Sequence, residues 1–113
     1  MEISTERAFW ILEFYRRCET ALHVGGKILG EEAGCTAKVT YVWPLAHSIV
    51  VRLLPDQGGR GLDILIPLKG ASFCFDQLGN DSFDSVDWAP SHSVLRAGFA
   101  DGTVLIFAEL MST

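Results

Sequence analysis

The sequence predicts an α+β protein in which an N-terminal helix packs on a strongly bent, mostly antiparallel sheet or small barrel of six or seven strands. Three observations lead there. Only one segment, near the N-terminus, spaces its apolar residues at a helical period. Most of the remaining chain alternates, or runs apolar, in blocks of strand length. The connections between those blocks are mostly short, which favours antiparallel pairing because a parallel pair needs a long crossover. A chain of 113 residues, 49% of them hydrophobic, suits a single domain over residues 1–113 with one core.

Residues 4–19 are the helical segment. At a helical step, Ala8, Trp10, Ile11, Leu12, Phe14, Tyr15 and Cys18 fall within an arc of about 200°, with Glu6, Glu13, Arg16 and Arg17 opposite. Phe9 alone lands on the polar side. Ser4 is placed to cap the N-terminus, Glu6 sits where the macrodipole favours an anion, and Arg16 and Arg17 sit where it favours cations. Glu13 and Arg17 form an i,i+4 pair. So wide an apolar arc implies a helix pressed onto something large.

Strands account for the rest. Thr20–Val24 and Lys27–Leu29 are short candidates. From Cys35 to Trp43 the odd positions Cys35, Ala37, Val39, Tyr41 and Trp43 share one face, Thr36, Lys38 and Thr40 the other, with Val42 out of pattern. His47–Leu54 and Val104–Glu109 are apolar on both faces and should lie centrally, covered by the helix or by a subunit. Leu62–Leu68 alternates, but Pro67 pushes its end toward a sheet edge. Ala71–Phe75 and Val94–Ala100 complete the set. Asp101-Gly102 supplies the positive φ angles of a two-residue hairpin, Lys69-Gly70 is placed to do the same, and residues 55–61 form a longer loop.

Composition excludes several classes. Nine basic residues oppose fourteen acidic ones, for a net charge of −5, and the whole deficit falls in residues 55–113. Nucleic acid, which needs a basic stripe, is a poor partner for this chain. No apolar run is long enough to span a bilayer as a helix, so no membrane is expected. The start of the chain has neither the basic nor the apolar region of a secretory signal, and the three cysteines, Cys18, Cys35 and Cys74, are odd in number and widely spaced. A cytoplasmic location with buried free thiols is the expectation.

Residues 76–93 form an irregular stretch with four aspartates and no basic residue, and loops of that length in small domains are often functional. Asp76, Asp81, Asp84, Asp87 and Trp88 are therefore the expected recognition surface, of a kind that suits a basic protein partner. The same aspartates with Asn80 offer hard oxygens to a divalent cation, but their spacing lacks the EF-hand pattern and a solvated turn is the simpler reading. Cys18, His23, Cys35 and His47 lack the paired spacing of a structural zinc site. No metal and no cofactor are expected.

Catalytic signatures are equally thin. There is no GxSxG elbow, and Ser91-His92-Ser93 is adjacency rather than a triad. Gly25-Gly26-Lys27-Ile28 lacks the earlier glycine and the hydroxyl of a phosphate loop. Residues Val86-Asp87-Trp88-Ala89-Pro90 followed by Val94 to Phe107 resemble part of a WD-repeat propeller blade. The chain has room for fewer than three blades where a propeller needs at least four, so the resemblance implies a hairpin closed by Asp-Gly and no WD-repeat function.

The functional expectation is thus a small binding or protein-interaction module rather than an enzyme. Its aromatic surplus points to burial of a second face, as in a homodimer. The alternative is a ligand-binding barrel or small enzyme with a pocket near Trp43 and His47, the latter in register with Ile49, Val51 and Leu53.

Overall fold

The computed structural model describes residues 1–28, 31–56, 60–77 and 91–110. Glu2–Ile3 forms a short strand, β1, and Thr5–Arg17 the helix α1. Then come β2 (Leu22–Ile28), β3 (Glu31–Pro44), β4 (Ser48–Pro55), β5 (Leu62–Pro67), β6 (Ser72–Gln77), β7 (Ser91–Gly98) and β8 (Val104–Leu110). Among the described residues all eight strands belong to one sheet in the order β1-β6-β7-β8-β2-β3-β4-β5, every neighbouring pair antiparallel.

The α+β class is as expected, but among the described residues the strands number eight rather than six or seven, and the sheet they form has two edges, β1 and β5, rather than closing as a barrel. Two residues of β1 are too few to show a period in sequence. Conversely, Leu22–Val24 and Lys27–Ile28, expected in two separate strands, belong to the single strand β2 because Gly25 and Gly26 continue it; Leu29 lies outside the described residues. A side chain at Gly26 would collide with the Val104 carbonyl of β8, so the glycine permits the close pairing of these two strands.

The order of strands forces the sheet to curl. β5 and β6 stand six places apart, which in a flat sheet at ~4.8 Å per strand would separate them by about 29 Å. Only residues 68–71 connect them, and the chain from Pro67 to Ser72 spans at most about 18 Å. The concave side so formed holds α1, which packs against β3 and β6.

Ser4 caps α1, its side-chain oxygen accepting from the Arg7 amide at 3.2 Å. At the other end Glu19 adopts a left-handed φ of 49°, and the amides of Glu19 and Thr20 donate to the carbonyls of Arg16 and Tyr15 at 3.2 and 3.1 Å. That is the Schellman arrangement, made without its usual glycine. Ala8, Leu12 and Tyr15 are buried among Leu22, Val39, Val51, Leu53, Leu95 and Phe107, while Phe9 and Ile11 flank this core. Phe9 is thus a core neighbour rather than a polar-side residue, because a concave sheet meets the helix on both flanks.

The alternation expected along β3 holds only to Val39. Its register against β4 shifts between Val39, opposite Leu53, and Tyr41, opposite Arg52. Thr40 is the extra residue, and its hydroxyl donates to the Arg52 carbonyl at 3.3 Å. A bulge swaps faces beyond it: Val42 is 6% exposed and joins the core, whereas Tyr41 and Trp43 are 43% and 52% exposed on the outer face. Their rings stack at 5.9 Å, and the Arg52 guanidinium, paired with Asp63 at 2.8 Å, lies over Tyr41.

Three other expectations are corrected. The loop between β7 and β8 has positive φ at Gly102 and not at Asp101, with the Gly102 amide donating to the Phe99 carbonyl at 3.0 Å. It is a three-residue loop closed by a glycine bulge rather than a two-residue turn; Asp101 instead accepts from the Thr103 amide. Between β5 and β6 only Gly70 has positive φ, in a four-residue turn closed by Ala71 on Leu68. Cys18 ends α1 and is exposed, where burial was expected, because the chain leaves the core there; Cys35 and Cys74 are half-buried, and all three are free thiols.

Candidate functional site

Helix α1 uses only part of its apolar arc for the core. Trp10 and Phe14, one turn apart, remain 53% and 59% exposed. They wall a cleft of about 610 Å³ between α1 and strands β6, β7 and β8, with Phe75 facing them and Tyr15, Ser93 and Glu109 at its base. The Phe9 ring meets Trp10 edge-on at 5.4 Å and steadies it. The volume lies within the range of small-molecule sites.

The base of the cleft is a directed chain of hydrogen bonds. Ser93 Oγ donates to Glu109 Oε1 at 3.2 Å, since a carboxylate oxygen accepts. The single Ser93 proton being committed, the Tyr15 hydroxyl donates to Ser93 Oγ at 2.7 Å. Burial pushes the Tyr15 phenol up to about 12, opposed by the Ser93 hydroxyl and reinforced by the Glu109 charge. Tyr15 therefore stays a proton donor at neutral pH. Ser93 is 5% exposed with both neighbours engaged, which makes it a structural link rather than a presented nucleophile.

Arg7 lines the other end of the cleft, two helical turns before Tyr15, and among the described residues it has no ion-pair partner. Glu13, by contrast, is held below the usual carboxylate range by the Arg16 guanidinium, which meets both its oxygens at 2.9 Å. A second hollow of about 400 Å³ opens between β5 and the β7–β8 hairpin, lined by Leu65, Pro67, Phe99 and Leu105 with Lys69 and Asp101.

Of the residues expected to form a site, Trp43, His47 and Asp76 fall within the described part of the structure. Asp76 is half-buried and pairs with the amino group of Met1 at 3.0 Å. Asp81, Asp84, Asp87 and Trp88 lie outside the described residues. Trp43 and His47 are exposed and line neither hollow, and His47 falls in the turn before β4 rather than in line with buried Ile49, Val51 and Leu53. Among the described residues no three His, Cys, Asp or Glu side chains gather as a metal site, and no helix is long and apolar enough to cross a membrane.

The cleft itself escaped sequence reasoning, although two signals marked it. The apolar arc of α1 is wider than the stripe a helix buries, and Glu109 is the single acid in a strand otherwise apolar on both faces. Comparison with models of protein families, with curated proteins and with solved structures finds no match.

Proposed function

We propose that this protein is a small binding module whose recognition site is the cleft between α1 and β6–β8, taking a small molecule with an apolar or aromatic body. One observation carries the reading: two large aromatic side chains, Trp10 and Phe14, stand out of the core above a polar base already organised by Tyr15, Ser93 and Glu109. Exposed aromatic area of this kind is recovered on binding, and the hydrogen-bonded base orients what enters.

Thermal-shift screening of small molecules against the purified protein tests it. A ligand present at a hundredfold its dissociation constant stabilises by about 2.7 kcal/mol, a rise of several degrees for a chain of this size. The expected result is a saturable rise lost in the Trp10→Ala variant. A flat screen, or a rise that survives Trp10→Ala and Phe14→Ala together, rejects the cleft as the site.

A second observation favours self-association as a further property of the module. Trp43, Val50 and Leu65 adjoin across β3, β4 and β5 on the outer face, beside Tyr41 and Leu54. Trp43 and Leu65 are more than half exposed, and the helix lies on the opposite side of the sheet.

A further inference from the structure

We propose that the cleft is selective for an organic ammonium ion, an amine carrying an aromatic or alkyl body, held by Glu109 against the rings of Trp10, Phe14 and Phe75. The inference rests on the cleft being the binding site and adds its chemistry. Glu109 is half-buried, its Oε1 accepts from the neutral Ser93 hydroxyl, and among the described residues no cationic group lies within ion-pair distance. Among the described residues, then, this half-buried carboxylate has only neutral neighbours, and a cation that also donates a hydrogen bond complements it.

The walls agree with that charge. Aromatic faces attract cations through their ring quadrupoles, and Trp10, Phe14 and Phe75 line the cleft that Glu109 shares. An anion of the same shape would meet the carboxylate and the negative ring faces together.

Among the described residues Arg7 is the one cation lining this cleft, on the N-terminal side of Tyr15 along α1. Eight residues of helix separate it from Tyr15, about 12 Å along the axis, while Tyr15 and Glu109 meet through Ser93.

Three probes with one aromatic body test the charge: 2-phenylethylammonium, neutral 2-phenylethanol and anionic 3-phenylpropanoate, titrated calorimetrically into the whole protein. The ammonium ion is expected to bind about tenfold more tightly than the alcohol, as a charge-assisted hydrogen bond in place of a neutral one implies, and the anion most weakly. Glu109→Gln keeps an acceptor for Ser93 and is expected to abolish the preference, while Trp10→Ala weakens the ammonium ion and the alcohol alike. If the alcohol matches the ammonium ion and Trp10→Ala weakens both, the cleft stands and its cation preference is overturned. If no probe binds, or binding ignores Trp10→Ala, the cleft and the preference fall together. The comparison of ammonium ion with alcohol on the unaltered protein decides the matter even if Glu109→Gln does not fold.

Discussion

Tyr15 connects the core to the cleft, and its chemistry makes a pH prediction. Its folded value of about 12 lies above the ordinary phenol value of 10, so the native state holds this proton more tightly than the unfolded chain does. The corresponding stability is complete below pH 10 and is lost as pH rises from 10 to 12, on the order of 2 to 3 kcal/mol. Urea unfolding at pH 9 and at pH 11.5 is expected to show a fall that Tyr15→Phe largely removes. At pH 7 the same variant should cost about 1 kcal/mol, since Ser93 keeps Glu109 as a partner but loses a donor. An equal alkaline loss in both proteins would place the cause elsewhere. In the sequence Tyr15 reads only as one more apolar-arc residue; its partner Ser93, and Glu109 to which Ser93 donates, come from strands more than seventy positions away.

The ends and irregularities of single elements decide which residues face where. The bulge at Thr40 predicts opposite outcomes for neighbours: Val42→Ala should cost about 1 to 3 kcal/mol as a buried truncation, and Trp43→Ala less, despite the larger side chain removed. Uninterrupted alternation, which makes Trp43 core and Val42 the misfit, demands the reverse, so chemical denaturation of the two variants distinguishes them. At the end of α1, Glu19 holds a left-handed φ that glycine adopts without a Cβ penalty. Glu19→Gly is expected to stabilise by roughly 0.5 to 1 kcal/mol in the same assay, and a loss of stability would mean that its side chain is engaged. The helix and its Ser4 cap are legible in sequence because both are local patterns. The bulge is not, since one extra residue leaves composition unchanged and shows itself only against the partner strand.

Across the whole molecule, α1 occupies the concave side and leaves the outer face of β3, β4 and β5 bare. The aromatic surplus in sequence therefore has two destinations, the cleft and this outer stripe. Light scattering at tens of micromolar is expected to give a dimer, with Trp43→Lys and Leu65→Lys together giving a monomer of unchanged helix and strand content. A monomeric unaltered protein, or a dimer that survives both lysines, removes the stripe as an interface. Since neither residue lines the cleft, ligand binding should persist in the monomeric variant.

Legible in the residues alone are a capped amphipathic helix, most of the strands with their short antiparallel connections, an edge strand marked by Pro67, and an acid set among apolar residues at Glu109. Each is a matter of spacing within a few residues, where backbone period and side-chain chemistry act directly. A bent sheet is expected from the sequence, but its strand order, the swapped face beyond Thr40 and the cleft emerge in three dimensions alone. These depend on β2 pairing with β8 and β1 with β6, contacts between distant parts of the chain that no local period encodes.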